Sequence, residues 1–315
     1  GESVGGNMAI NVATENAGAG PDPAARIVAT ATGKYGGQPI TADARAGAIL
    51  SLRDASTPYP IDINIANGPS KVALNGTVAN PLNFAGAALR LQLSGPDMSL
   101  LAPLTGISIP KTPPFQTAGN LDYRDGHIHY DHFTGKLGSS DIAGDLDVDP
   151  GPVRPVITAD LQSRQIDLAD LAGFIGGQPG RAGTPGQTPE QQQAIATAKA
   201  SPKFLPDTPI NVPDLKSADV HVKFRAGHIK GEQMPLDNLV ANLDIVDGHI
   251  TLKPASFAVG KGAIETTLDL VPGVGNKAAL VKVHTDFKRV DLGHMLAATK
   301  IVRGAGTITG RGSID

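Results

Sequence analysis

Asn120-Leu-Asp-Tyr-Arg-Asp-Gly-His-Ile-His-Tyr130 decides the fold, because the chain repeats it 122 residues later as Asn242-Leu-Asp-Ile-Val-Asp-Gly-His-Ile-Thr-Leu252. Laid without gaps, residues 119–148 and 241–270 agree at 11 of 30 positions, and the apolar places agree beyond that. Such self-similarity marks a repeated supersecondary unit. Each copy reads as a hairpin from its own chemistry. Asp125-Gly126 and Asp247-Gly248 are dipeptides that accept the positive φ angles of a two-residue turn, and alternating apolar residues flank both.

Outward from this unit the text is strand after strand. Ala25–Gly33, Pro39–Leu52, Pro60–Ala66, Lys71–Ala79 and Ala87–Leu93 are short runs bounded by Gly, Pro, Asn or Asp. Ile61, Ile63 and Ile65 alternate with Asp62 and Asn64, and Leu89, Leu91 and Leu93 alternate with Arg90 and Gln92. Period two of this kind predicts half-buried sheet. The first repeat continues through a bend at Gly135–Ser140 into Ile142–Val148 and Val156–Leu161. It closes at Ile166-Asp-Leu-Ala-Asp-Leu171, where Asp167 is expected to cap a short helix. The second copy closes likewise at Val290-Asp-Leu-Gly-His-Met-Leu296. Another short helix is expected over Pro96–Thr105, with Asp97 at its start, and Pro110–Phe115 reads as an extended connector. Strands resume at Ala218–Phe224, Ala263–Leu270 and Ala279–Phe287.

Residues 176–208 differ. Gly176–Gly186 is low-complexity linker, and Pro189–Ala200 predicts a surface helix with little apolar face, expected to be mobile. The division is therefore 1–175, a first β segment; 176–208, a linker with a short helix; and 209–315, a second segment continuing the same sheet. The chain begins with Gly1, and Met8–Val12 and Gly306–Gly310 read as interrupted strands, so it is read as part of a longer protein.

Composition narrows the function classes. Glycine and proline make up 63 of 315 residues, which suits many turns, while aromatics stand at 4%. A net charge of −3 lacks the basic footprint that nucleic acid requires. No apolar run approaches a membrane span. With no cysteine there is no disulfide framework and no thiolate chemistry.

A sheet with one apolar and one polar face must hide the former against helices, another sheet or an apolar ligand. Burying one Val, Leu or Ile side chain stabilises by about 1.5–3 kcal/mol, so a wet stripe of many would be costly. The expected helices are too few and short to roof it. Two solutions remain, a filled β-sandwich or a curved sheet holding something apolar.

The ordered series Pro113-Pro-Phe115, the hairpin, Gly138-Ser-Ser-Asp-Ile-Ala-Gly144, Arg154-Pro155, Ala159-Asp-Leu-Gln-Ser163 and Ile166–Leu171 resembles the AsmA family of bacterial envelope proteins. So do the insert, Leu205-Pro-Asp-Thr-Pro-Ile210, Ala218-Asp-Val-His-Val222, Met234-Pro-Leu-Asp-Asn-Leu239 and Asp247-Gly-His-Ile250, and the likeness covers about residues 84–296. The resemblance implies an inner-membrane helix, not present in this chain, followed by a long periplasmic β-groove related to bridge-like lipid-transfer proteins. It implies phospholipid as the ligand, a role in lipid transport or balance between the two membranes of a Gram-negative cell, and room for outer-membrane or envelope protein partners. No cofactor and no catalysis are implied.

Candidate chemistry is weak by comparison. His127, His129 and Asp131 share a strand face at ligand-like spacing, but the second copy has Thr251 and Lys253 in place of the last two, so a solvated face is the simpler reading. Ser139-Ser140-Asp141 reads as bend chemistry, with side chains bonding their own backbone. Gly273-Val-Gly-Asn-Lys-Ala278 reads as a loop, and Asn75-Gly-Thr77 as a turn. Recurrent Asp122, Asp125, Asp145, Asp147, Asp244, Asp247 and Asp269 read as a solvated outer face that discourages edge pairing.

The expected architecture is thus mostly β. It is a long, twisted, curved, largely antiparallel sheet built from repeated β units, with a hydrophobic groove and a few short helices. The side chains expected to line the groove are Leu89, Leu91, Leu93, Ile142, Leu146, Val148, Ile157, Leu161, Val220, Val222, Phe224, Leu243, Ile245, Ile264 and Leu268. Two alternatives stand beside it: an envelope assembly protein with a filled sandwich core, and an enzyme acting on envelope glycans.

Overall fold

The computed structural model describes residues 7–15, 26–48, 58–81, 85–102, 109–124, 126–175, 177–200, 216–230, 236–273, 280–291 and 307–314. One 16-stranded sheet runs through them, its strands side by side in chain order. They are β1 (Asn7–Glu15), β2 (Arg26–Tyr35), β3 (Gln38–Ala48), β4 (Tyr59–Asn67), β5 (Ser70–Asn80), β6 (Ala85–Gly95), β7 (Phe115–Arg124) and β8 (His127–Leu137). The second half has β9 (Ser140–Asp149), β10 (Val156–Asp167), β11 (Asp219–Lys230), β12 (Leu236–Val246), β13 (His249–Val259), β14 (Gly262–Val271), β15 (Leu280–Asp291) and β16 (Thr307–Ile314). The mostly β, mostly antiparallel open sheet expected from the alternation is what the chain forms.

Both repeat hairpins have the two-residue connection their Asp-Gly dipeptides require. Arg124 pairs with His127 across the first turn, and Val246 with His249 across the second. Asp247 and Gly248 sit at φ 51° and 81°, and Gly126 at 87°; Asp125 lies outside the described residues. The bend after β8 tightens to Gly138–Ser139, since β8 runs on to Leu137 and β9 starts at Ser140. Asn75-Gly76-Thr77 is not a turn: β5 passes straight through it, paired with β4 on one side and β6 on the other. The tight connection there lies instead between Asn67 and Ser70.

One neighbouring pair, β10–β11, is parallel. Parallel neighbours need a crossover of a dozen or more residues. The chain between Asp167 and Asp219 is that crossover, and this is the physical use of the insert. It opens with a 3-10 helix at Leu168–Ile175, whose start is held as the sequence implied: Ala169 N–H donates to Asp167 Oδ1 at 3.0 Å. It goes on to α1 (Pro189–Ala200). Thr188 and Gln191 bond each other's backbone reciprocally ahead of α1, a capping box with Pro189 at the first helical position. The helix is anchored. Gln191 Nε2 donates to the Pro96 carbonyl at 2.8 Å and Ile195 is buried, so a polar side chain supplies the attachment that apolar content did not promise. Of the helix expected at Pro96–Thr105, a 3-10 turn at Met98–Leu101 forms, with Ser99 N–H donating to Asp97 Oδ1; residues 103–108 lie outside the described residues, as do 274–278 and 292–296.

Three register shifts each contain one non-glycine residue with positive φ: His132 between Tyr130 and Phe133, Asn238 between Asp237 and Val240, and Arg289 between Phe287 and Val290. These are β-bulges. The latter two let apolar residues three apart share one cluster: Leu236 with Leu239, and Phe287 with Val290. The bulge at Tyr130/Phe133 recurs at Leu252/Ala255, the equivalent place in the second repeat, and there it accommodates Pro254 inside a central strand.

Candidate functional site

Strand register converts alternation into a surface. Leu89 of β6 faces Leu121, which faces Tyr130, then Leu146 and Ala159. Across the parallel seam Ala159 faces Val222, followed by Leu243, Leu252, Leu268 and Val283. In the other direction Leu89 faces Gly76, then Ile61 and Ala46. A second row runs beside it: Ala87, Tyr123, Ile128, Val148, Ile157, Val220, Ile245, Ile250, Leu270 and Val281. With strands spaced about 4.8 Å, the first row from β4 to β15 extends about 50 Å, and its one polar atom on a side chain, the Tyr130 hydroxyl, is bonded to Thr117 Oγ1.

All fifteen side chains expected to line a groove fall on this one face. Leu91, Leu93, Ile142, Leu161, Phe224 and Ile264 complete it: Leu93 joins Ile142 through Thr117 and Gly135, Gly144, Leu161 and Phe224 lie in one row, and Leu91 sits between Leu89 and Leu93 on β6, facing Gly119. The sequence reading left out Ile61, Tyr130, Leu252 and Val283, although alternation marks each. Tyr130 lies inside His127-Ile-His-Tyr-Asp-His132, where polar neighbours on both sides mask its place in the alternation.

The face is half covered. Leu89 and Ile264 are buried, while Ile61, Leu121, Leu146, Val222, Leu243, Leu252 and Leu268 keep partial exposure. A filled sandwich core would join strands far apart in sheet order. The buried clusters here join only neighbours: Val78, Ala87 and Leu89 from β5–β6; Phe115 and Leu137 with Leu101 of the first 3-10 turn; Ile166, Ala226 and Ile229 from β10–β11, with Leu171 of the second; and Val259, Ile264 and Val290 from β13–β15.

The opposite face is polar and internally paired. Each of the seven described histidines has an aspartate against its ring: His127 with Asp149, His129 with Asp147, His132 with Asp131, His221 with Asp244, His228 with Asp237, His249 with Asp269, and His284 with Asp286. His127, His129 and Asp131 do not converge. A cross-strand neighbour is nearer than the residue two along the same strand, so His127 and His129 take their partners from β9, while His132 and His284 pair with aspartates of their own strands. Among the described residues no three His, Asp or Glu groups form a metal-ligand set. The hydrogen bond that the His129 ring donates to the Asp147 carboxylate holds the His129 pKa above the usual imidazole value. Asp147, Asp244 and Asp269 lie on strands inside the sheet, so discouraging edge pairing is not their role; they pair across strands with histidines.

Ser139 and Ser140 are held by a distant residue rather than by their own backbone. Both N–H groups donate to Asp170 Oδ2 at 2.9 and 3.0 Å, and both hydroxyls at 3.1 and 2.7 Å. Asp170 is 0% exposed, and burial pushes its carboxyl up. Burial also pushes Asp167 up, but the Arg181 guanidinium outweighs it and leaves that carboxyl below the usual range. Asp141 belongs to β10 in its bonding, accepting from the N–H groups of Gln165 and Arg164. With every hydroxyl bonded to a carboxylate and no imidazole among these partners, the cluster is a clamp joining the β8–β9 turn to the start of the crossover.

The AsmA family model matches residues 23–315. The chain belongs to the AsmA family. The AsmA family protein YhjG of Escherichia coli (strain K12) is 32% identical over 246 residues, 76% of this chain and 36% of the relative, so the chain spans about a third of that protein's length. No solved structure matches. This AsmA-family chain is therefore related to envelope-associated proteins, and the clamp, the repeat and the crossover all lie inside the matched region. Among its described residues no helix is long and apolar enough to cross a membrane.

Proposed function

We propose that this AsmA-family chain is a periplasmic segment that binds phospholipid acyl chains along the apolar face of its sheet. On this reading it supports lipid transport or lipid balance between the inner and outer membranes. The observation that carries the reading is the unbroken, half-covered apolar row across β4–β15. Left in water such a row costs free energy, and a chain of CH₂ groups laid on it recovers about 0.8 kcal/mol per group buried. Movement along the row then needs no covalent step and no cofactor. Anchoring to the inner membrane, by a segment outside this chain, belongs to the same proposal. Native mass spectrometry of protein purified from a Gram-negative host tests it. Bound phospholipid, released on gas-phase activation, is the expected result. A bare polypeptide mass favours the rival envelope assembly protein acting through protein partners.

A further inference from the structure

The two long edges of the apolar face are unlike over β8–β15. At the edge formed by the β8–β9 and β13–β14 turns, the last apolar side chains are sealed. Ile229 is 2% and Val290 0% exposed, and the two 3-10 helices bring Leu101 and Leu171 down onto their neighbours. At the other edge, formed by the Asp-Gly hairpin turns, the terminal apolar residues stay wet. Ile128 is 37% exposed and Leu280 53%, and Val246, Val271 and Val281 are exposed beside them. Val246 and Leu280 are on the outer side of the sheet by register and Ile128 and Val281 on the apolar side, so apolar side chains reach the rim on both sides, the outer ones beside the charged Arg124, His127 and Asp149. This difference stops at β7. Over β3–β6 the same edge is closed, with Tyr59, Val78 and Ala87 buried and the Tyr59 hydroxyl donating to the Gly47 carbonyl at 2.8 Å.

Resting on the lipid-binding reading, we propose that the hairpin edge of β8–β15 is the side at which a phospholipid crosses onto the apolar face. The headgroup stays at that rim and the acyl ends point to the edge sealed by the 3-10 helices. Three physical points support this polarity. A headgroup cannot be buried without partners; the buried clusters at the sealed edge are aliphatic and aromatic, and the polar groups beside them, Ser140, Asp167 and Asp170, are engaged with one another and with Arg181. On the apolar side the rim row from Ile128 to Val281 is aliphatic, so acyl chains crossing there meet no charge; the ion pairs of this edge, Arg124–Asp122, His127–Asp149 and Arg154–Asp247, lie on the outer side and in the turns. The dimensions also agree. Half a bilayer's hydrocarbon thickness is about 15 Å, whereas β13 runs about 23 Å from Ile250 at the rim to Phe257 in the sealed clusters. One chain laid along the strands therefore fits between rim and seal, and successive lipids lie side by side in sheet order.

The chain has no cysteine, so single cysteines report position cleanly. Ile128→Cys and Val281→Cys mark the rim; Phe257→Cys marks the sealed side, with Ile142→Cys as a second marker there should the first not fold. Each carries a fluorophore and is loaded with phosphatidylcholine bearing a nitroxide either on the headgroup or near the acyl terminus. Loss of emission is expected at the rim markers with the headgroup nitroxide and at the sealed-side markers with the terminal one. The reverse pattern, or equal loss at both edges, overturns the polarity while leaving lipid binding standing. No loss at any marker with either lipid rejects lipid binding itself, and this proposal with it.

Discussion

Tyr130 and Phe133 stack with ring centroids 4.9 Å apart and planes 2° from parallel, although three residues separate them along one strand. A regular strand sends residues three apart to opposite faces. The bulge at His132, with φ 50°, removes the conflict by taking one residue out of the alternation. Asn238 and Arg289 do the same for Leu236/Leu239 and Phe287/Val290. The apolar face stays continuous because three residues adopt left-handed backbone.

A β-branched side chain resists that backbone. His132→Val is expected to lower stability by about 1–2 kcal/mol, whereas His132→Gly is expected to be near neutral. Urea unfolding followed by circular dichroism checks both. Equal midpoints for the two variants would show that the bulge carries no backbone strain for a β-branched residue.

Gly138 is locked to Asp170 from 32 positions away. Its φ is 61°, and a Cβ there would lie 2.2 Å from Asp170 Oδ1. Gly138→Ala should therefore destabilise by about 1–3 kcal/mol through backbone strain alone, and more through the clash. Asp170→Ala removes the clashing oxygen but also the acceptor of four hydrogen bonds, so the two changes are not additive. Combined, they are expected to cost less than the sum of the singles, as read from a double-mutant cycle of unfolding free energies.

Acid stability should report on Asp141. Burial raises its carboxyl, but bonds from Gln165, Arg164 and Ser163 dominate and bring it down to about 2 from an ordinary 3.8. A depressed folded-state value means the contribution is full above the unfolded pKa and disappears as pH falls through the folded one. Thermal midpoints measured from pH 6 down to pH 2 should thus fall less steeply below pH 4 in Asp141→Asn than in the parent chain. An unchanged acid limb would assign the loss to other carboxylates.

What the sequence revealed and what it hid follow from the range of the interactions. Asp247-Gly248 names its own turn because both left-handed residues are contiguous, and Asp167 caps its helix through a bond only two residues long. Ile61, Ile63 and Ile65 show their face without reference to any partner. The His132 bulge was invisible because it exists only against β9, and the parallel β10–β11 seam only once the whole crossover is folded. The pairing of His129 with Asp147 was hidden for the same reason, since spacing along one strand says nothing about the strand beside it.

The lipid-binding reading makes its sharpest demand at Leu146 and Leu268. Both lie in the central row, partly exposed and away from the four sealed clusters, so a carboxylate placed there leaves the sheet's packed regions untouched. Charge at that place interrupts the apolar track, and burying it beneath an acyl chain without a partner costs well above the roughly 2–7 kcal/mol of an unpaired neutral polar group, more than a few CH₂ groups return. Leu146→Glu and Leu268→Glu are each expected to lose most co-purifying phospholipid while keeping the parent far-ultraviolet circular dichroism. Gln92→Glu, on the exposed polar face of β6, is expected to keep it. Lipid extraction and quantification from the three purified variants decides the matter. Folded Leu146→Glu and Leu268→Glu proteins with undiminished lipid would mean that the apolar row is not where acyl chains lie.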